Sequence, residues 1–544
     1  MALEENLPIR RIRKMSTTRR NLTILAVVLI VIILGYYGYS YYTQQQELAK
    51  TRATVIIGTT DKITDLDNAR CYDFFTWETL GNINEGLLRH EPGTLKIVPG
   101  LADPSFGGGK GYEVSADGTV YTFKVRANAK FTNGKPVDAA AVKYGIDRVV
   151  RIHDPQGVDW LVTSFVKSVK VIDPLTVKIT LTGPVGYFPS IVALVPTYYA
   201  VDANTYPASQ VNSEGKVGYG PYMIAKWERD VELDLVANPD YYGEKPKTQN
   251  VVVKFFKDAT TMRLALEKGE IDVAWSSLNP TDILDFRSKS GYTVIESPSP
   301  RIRYIIFTNV TKPPYNDIHV RRALALALDR DAIVRRVFKG LGVPLFSMIP
   351  AKYASHDDTF KDMWSMDLGK AKSELTAAGY SESNKLSIEL WFTPRHYGDT
   401  EADVAAVIKE SWEKTGMVTV SLKSAEWGTY TQYLGAGTMP LYLLGWYPDY
   451  LDADDYVSPF YLSGNAYSKN YSNPHMDELI KLAQVTADQD KRIAMYKEMQ
   501  TIAGNDIPYI PMFQGEIAAV SKANVKGVIV DDTAMLRYAY IYKE

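Results

Sequence analysis

The sequence predicts an α/β fold. Three observations carry that prediction. Thr54–Gly58 is short and β-branched, as a buried strand should be. After residue 300 helix-length and strand-length apolar patterns alternate. Cap and turn residues fall at the joints between them. In chain order, Trp77 to Leu88 has apolar residues near helical spacing, with Leu80, Ile83, Leu87 and Leu88 on one side. Gly118–Val125 alternates apolar and polar residues and predicts a half-buried strand. Asp138 is placed to cap a helix over Ala139–Val150, because its carboxylate accepts from free backbone N–H groups. Leu175–Leu181 reads as a strand after the Asp173-Pro174 turn. Val320–Leu328 is a predicted helix, which Ile333–Phe338 continues past Asp329-Arg-Asp331 to a stop at Gly340. Leu386–Trp391, Val418–Leu422 and Leu441–Leu444 are predicted strands. Between the first two, Glu401–Lys414 places Val404, Ile408 and Trp412 on one helical face and ends at Gly416. Strands separated by helices of this length imply crossover units and a largely parallel sheet.

Composition narrows the function. At 544 residues the chain is long enough for about three domains. With 46% apolar residues it can build a large core. A net charge of -2 excludes the basic footprint of a nucleic-acid binder. Cys71 is the single cysteine, which excludes an internal disulfide and a cysteine-rich metal site.

The N-terminus predicts a membrane anchor. Residues 21–46 carry no charge, and Leu22 to Leu34 are almost wholly aliphatic. The span 21–42 reaches the ~20 residues a transmembrane helix needs. Arg10, Arg11, Arg13, Lys14, Arg19 and Arg20 mark residues 1–20 as the cytoplasmic side. The rival is a cleaved signal peptide, for which no Ala-x-Ala site follows. The expectation is a single-pass protein of the cell membrane, a tether at 43–52 and an extracellular binding domain.

A run of phrases in the middle of the chain points further. Gly218-Tyr-Gly-Pro-Tyr222 precedes Trp227, Asn238-Pro-Asp-Tyr-Tyr242 and Gly269-Glu-Ile-Asp272. Tyr315-Asn-Asp-Ile-His-Val-Arg-Arg-Ala323 and Leu328-Asp-Arg-Asp-Ala-Ile333 follow. Upstream lie Glu85-Gly-Leu-Leu88, Ile97-Val-Pro-Gly-Leu-Ala102 and Thr119–Arg126 leading to Lys130-Phe-Thr-Asn-Gly134. In this order they resemble the solute-binding proteins of ABC importers, family 5, the dipeptide, oligopeptide and nickel-chelate class, in an archaeal-type, membrane-anchored form. Ala140-Ala-Val142 departs from the family's usual Glu-Asp-Val at a helix start. The resemblance implies a type II, two-lobed periplasmic-binding-protein-like fold with an additional domain. Lobe I is expected from 53–82, 206–308 and 512–544, the additional domain from 83–205, and lobe II from 309–511. It also implies a monomer that closes on a peptide or other small solute and delivers it to permease subunits with cytoplasmic ATPases. No cofactor, metal or nucleic acid is expected.

Enzyme signatures are missing: no Gly-x-Ser-x-Gly, no His-Glu-x-x-His and no phosphate loop ending in Gly-Lys-Ser/Thr. Gly107-Gly-Gly-Lys-Gly111 reads as a surface turn, and the six histidines are isolated in sequence. No catalytic residue is expected. Four carboxylates cluster in Trp446-Tyr-Pro-Asp-Tyr-Leu-Asp-Ala-Asp-Asp-Tyr456. One reading is a solvated acidic loop. A calcium loop would need the glycine and closing Glu of the EF-hand, which are absent. The resemblance supplies a third reading, in which Trp446 and Asp449 line the solute pocket and Asp449 pairs with a peptide ammonium. On that reading Asp452, Asp454 and Asp455 are solvated. The resemblance also marks Trp427 as a cover over bound side chains, with core packing as its alternative. It marks Arg395 as a holder of the peptide carboxylate, suited by the guanidinium fork, with an exposed loop arginine as the alternative. Tyr72 and Asp73 follow the first strand, where the family's chain crosses the ligand. Within the class a nickel-chelate binder is the rival, disfavoured because no histidine group is visible. A surface peptidase and a non-transporting envelope receptor are rivals from outside it.

Overall fold

The computed structural model describes residues 53–544 except Ser277 and Asp399, together with Ile32, Gly35, Tyr36 and Tyr39. Residues 55–544 form one unit by their contacts, and the description below concerns it.

Eleven strands form one sheet: β1 (Thr54–Thr59), β2 (Tyr222–Glu228), β3 (Glu232–Ala237), β4 (Asn250–Phe255), β5 (Val273–Trp275), β6 (Tyr292–Phe307), β7 (Gly342–Pro344), β8 (Leu386–Phe392), β9 (Val418–Ser424), β10 (Leu441–Trp446) and β11 (Tyr509–Lys522). Their order is β9-β8-β10-β6-β11-β5-β1-β4-β3-β2, with β7 on β11. The crossover units expected after residue 300 form β8, β9 and β10, which pair in parallel. The sheet as a whole is not largely parallel. The long strands β6 and β11 join it antiparallel, as do β2, β3 and β4 among themselves.

β6 and β11 run through both halves of the sheet and create the crease between them. Their ladder slips where Pro298 pairs with Glu516 and Ile302 with Gln514, so Ser299, Pro300 and Arg301 face Gly515 alone. Prolines at 298 and 300 donate no backbone hydrogen bond. The buried Gln514 side chain compensates, donating to the Ser299 carbonyl at 2.6 Å and accepting from the Ala351 amide at 3.0 Å. Such a bulge bends a strand and re-aims its side chains. The apolar core divides accordingly. One buried cluster runs from Val55 to Ile541 around the β1 half, and another from Ile305 to Phe513 around the β10 half.

A separate four-stranded antiparallel sheet (112–114, 120–124, 176–181, 166–173) packs under the helix Ala139–Ile152. Asp138 caps that helix as expected, accepting from the Ala141 amide at 2.8 Å. The predicted Trp77–Leu88 helix lies at Phe74–Ile83 instead. Leu88 opens a short strand, and Leu87 and Leu88 are fully buried. The chain also breaks at Ala327–Asp329, where Asp329 caps a new turn through the Ala332 amide.

One part of the expected fold is corrected. Among the described residues no helix is long and apolar enough to cross a membrane. The span 21–42 lies outside the described residues except for Ile32, Gly35, Tyr36 and Tyr39. The transmembrane helix, the single-pass topology with a cytoplasmic N-terminus and the attachment to a membrane are therefore not carried forward.

Arg148, fully buried, ties the smaller sheet to the segment after β1. It donates to both Asp67 carboxylate oxygens at 2.6 Å and to the Pro207 and Gln210 carbonyls at 2.7 Å. Removing one member of such a pair strands the other in low dielectric. Arg148→Leu should therefore lower unfolding free energy by about 3–5 kcal/mol. Urea denaturation checks this, and a loss below 1 kcal/mol would mean that Asp67 finds other partners.

Candidate functional site

β10 is buried along its length and delivers Trp446 to the crease, where the chain turns through Tyr447-Pro-Asp449 into a 3-10 turn at Ala453–Tyr456. The acidic cluster is not a solvated loop. Asp452 caps the turn through the Asp454 amide and takes the Arg492 guanidinium at 2.6 and 2.9 Å. Asp454, 1% exposed, accepts from the Tyr450 hydroxyl at 2.9 Å and the Ser458 hydroxyl at 2.6 Å. Asp455, also 1% exposed, accepts from the Trp446 indole N–H at 3.0 Å and the Asp449 amide at 2.9 Å. The solvated placement expected for Asp452, Asp454 and Asp455 fails because each carboxylate has local donors that offset its burial.

Asp449 differs from its neighbours. It is 4% exposed, and among the described residues its one side-chain bond is from the Tyr72 hydroxyl at 3.0 Å, reaching across the crease. Burial pushes its carboxyl up to about 7, against the opposing pull of the Tyr72 bond. Asp455 is also pushed well up, by burial and then by the Asp449 charge. Among the described residues neither has a Lys, Arg or His ion-pair partner. Two like carboxylates in one dry place cannot both ionise cheaply, so the pair holds a proton that a cation would release.

Opposite charge sits nearby in the strand. Arg301 and Arg303 project from β6, two residues apart. The Arg303 guanidinium lies 3.8 Å from the Tyr397 ring centre and donates to Glu401 at 3.2 Å. Burial lifts the Glu401 carboxyl despite that partner. The Arg301 guanidinium lies 4.4 Å from the Tyr447 ring centre and 5.8 Å from that of Phe74, on the other side of the crease. Its Nε is buried without a hydrogen-bond partner. Burial raises the Tyr447 phenol, but the charges of Arg301 and Arg303 outweigh it and leave the group below its ordinary value. Asp61, at the end of β1, is raised by burial more than the Arg301 charge lowers it. The place thus offers an unmatched anion, a guanidinium with a spare donor, and aromatic faces between them.

The structure brings together Tyr72, Asp449 and, through Asp455, Trp446. Trp427 stacks on His396 with ring centres 3.6 Å apart and an interplanar angle of 2°. Its ring lies 6.0 Å from that of Tyr397. Arg395, on the same loop as His396 and Tyr397, is exposed and makes no side-chain hydrogen bond or ion pair with another described residue. Asp73 caps the helix Phe74–Ile83 through the Thr76 amide at 2.7 Å and accepts from the Thr64 hydroxyl, so its carboxylate is held at the helix end. Sequence reading missed Arg301, Arg303, Tyr447, His396 and Glu401. A signal existed for the first two, since arginines two apart in a strand share a face.

The family described as bacterial extracellular solute-binding proteins, family 5 Middle, matches residues 96–468. The dipeptide-binding protein of Escherichia coli K12 is 27% identical over 477 residues, 82% of this chain and 86% of its own. The oligopeptide-binding protein OppA of Bacillus subtilis 168 is 25% identical, covering 85% of this chain and 89% of its own. The solved structure of HbpA2 from Haemophilus parasuis superposes with a TM-score of 0.79 at 24% identity, covering 90% of this chain and all of that one. The two-lobed fold is shared.

The carboxylate pair sets a pH signature. Asp449 titrates near 7 in the folded protein against about 4 unfolded, and Asp455 is shifted in the same direction, so the folded protein binds more protons from about pH 4 to at least 7. The stability this contributes is full below about pH 4 and is lost as pH rises through about 7. Asp455→Asn keeps an oxygen for Trp446 and removes the repulsion. It should raise stability at pH 8, with little change at pH 4. Denaturant titrations at the two pH values check this, and parallel losses at both would refute it.

Proposed function

Because the chain belongs to the family 5 bacterial extracellular solute-binding proteins, we propose that it captures peptides with a free N-terminus in the crease between its lobes. Members of this family are binding receptors for transport, and the chain is not an enzyme. Its place is outside the permease, to which it passes the solute; the peptide-binding relatives support that assignment. The observation that carries the reading is the buried Asp449 carboxylate, which has no cationic partner among the described residues. A peptide ammonium would take the place of the proton held by Asp449 and Asp455, contributing a charge-assisted hydrogen bond of about 1.5–3 kcal/mol. Tyr72 orients the carboxylate from the opposite lobe. Arg301, with its spare donor, suits the peptide carboxylate, and Arg395 is the second guanidinium available on the neighbouring exposed loop. Phe74, Tyr447, Trp446 and Trp427 supply apolar area with little side-chain selectivity.

The domain reading follows from the same frame. Lobe I comprises 53–82, 206–308 and 512–544, lobe II 309–511, and the additional domain 83–205. Under this division the lobes join where β6 ends at Phe307 and β11 begins at Tyr509, and the bulge at Pro298–Ile302 lies on the lobe I side of that joint. Contacts to both lobes exist only in the closed state, so a ligand touching both drives closure.

Asp449→Asn keeps the shape and deletes the charge. Affinity for peptides with a free N-terminus should fall by about two orders of magnitude or more, because a stranded partner charge costs about 3–5 kcal/mol. N-acetylated peptides should bind the unaltered protein poorly and lose little more on substitution. Calorimetry with both ligands on both proteins decides it, and equal losses would remove Asp449 from the ammonium site.

Affinity should also depend on pH with a defined sign. Ionised Asp449 is the binding form, so affinity for free-N-terminus peptides should fall as pH drops through about 7, by up to about tenfold per unit. Acetylated peptides should show a flat profile. A flat profile for both would mean that no proton is displaced on binding.

A further inference from the structure

A second cavity lies away from the crease. Its volume is about 420 Å³, within the size range of small-molecule sites. It opens where the helix Phe74–Ile83, the start of the additional domain, the 241–245 loop and the C-terminal segment 535–540 meet. Asp449, Tyr72, Arg301 and Tyr447 are absent from its wall.

The wall carries Arg89, Arg126, Lys245 and Arg537 against the carboxyls of Glu78, Glu85 and Glu244, and Lys245 is spent on the Pro239 and Tyr241 carbonyls. Arg89 is paired with Glu85 at 3.1 Å. Arg126 spends its Nε on the Gly100 carbonyl and lies 5.3 Å from the Tyr242 ring centre; among the described residues no carboxylate contacts it as an ion pair, and Asp103 is close enough to feel its charge. Arg537 has one long bond, to the Thr533 hydroxyl at 3.4 Å. Glu85 is occupied further by the Tyr242 hydroxyl at 2.5 Å. Glu78, at the base, is lifted by burial to about 8 despite bonds from Tyr538, the Leu536 amide and Trp275, so at neutral pH it does not offset the arginines.

The shape is as specific as the charge. Tyr199, Tyr241, Tyr242, Tyr540 and Trp77 give the wall flat aromatic faces. Gly81 sits inside the helix with its bare face on the cavity, where a Cβ would stand 3.7 Å from the Tyr199 hydroxyl. Glycine weakens a helix interior by roughly 0.5–1 kcal/mol relative to alanine, so its presence keeps space at the expense of the helix. We infer that this cavity is a second binding site, which takes a small flat organic anion such as an aromatic carboxylate between Arg126 and Arg537.

The test uses the full chain with phenylacetate as probe and phenylacetamide as its neutral counterpart, followed by calorimetry and ligand-observed NMR. Phenylacetate should bind saturably and phenylacetamide at least about tenfold more weakly, because the guanidinium contacts are charge-assisted. The double variant Arg126→Gln/Arg537→Gln should lose about tenfold or more in phenylacetate affinity while keeping its affinity for trialanine in the crease. Gly81→Leu should fill the space and abolish probe binding; if that variant does not fold, the double glutamine variant decides alone. Asp449→Asn should bind phenylacetate as the unaltered protein does. The inference is overturned by the absence of saturable phenylacetate binding at tens of millimolar. Equal binding of acid and amide, undiminished binding by the double variant, or displacement of the probe by trialanine would each overturn it as well.

Discussion

Two strands join one half of the sheet to the other, and everything at the site depends on how they do it. β6 and β11 stay paired through both halves, so each half-sheet is built onto the same backbone frame. At their middle the ladder is interrupted by Pro298, Pro300 and the side-chain-free Gly515. A continuous ladder there would resist bending, since each displaced residue would break an inter-strand hydrogen bond. The bulge replaces those bonds with side-chain bonds from Gln514 and turns Arg301 into the crease. The carboxyl ends of β1 and β10 open onto the same place and bring Asp61 and Asp449 there, as ligand sites of α/β sheets generally form beyond strand carboxyl ends.

Charge pairing separates structure from function in this protein. Arg148 with Asp67 and Arg492 with Asp452 are buried and matched, each member holding the other with short bonds. Such groups hold elements in register. Asp449 and Asp455 are buried without a cationic partner among the described residues, and the Arg301 Nε is buried without a hydrogen-bond acceptor, a cost that a complementary ligand would offset. The same logic applies, in weaker form, to Arg126 and Arg537 in the second cavity, where a partly exposed wall keeps the guanidinium groups solvated.

How far the site could be read from the sequence varied residue by residue. The phrases around Gly218, Tyr315 and Leu328 were enough to place the chain in its family, and the acidic run after Trp446 stood out on composition. The run's interior burial did not, because the donors that satisfy it are Tyr450, Ser458, Arg492 and the Trp446 indole, three of them four to nine residues from their acceptors and one forty residues from Asp452. Asp73 caps the helix that follows it, because a carboxylate one residue before a helix has free amides within reach, a role that local sequence could have shown. Arg301 was overlooked because an arginine in a strand is ordinarily on a solvated face, and only the bulge turns it inward.

The sequence by itself determined the α/β character, the strands at 54–59, 386–392 and 418–424, the cap at Asp138 and the helix end at Gly416, because each follows from periodicity or from a local hydrogen bond. The tertiary structure alone decided the direction of pairing between the long strands, the register slip at Pro298, the shift of a helix from Trp77–Leu88 to Phe74–Ile83 and the meeting of Tyr72 with Asp449. Those features join residues up to 377 apart in the chain. No local pattern encodes such a contact, since it exists only when two half-sheets are packed and the water between them has been removed.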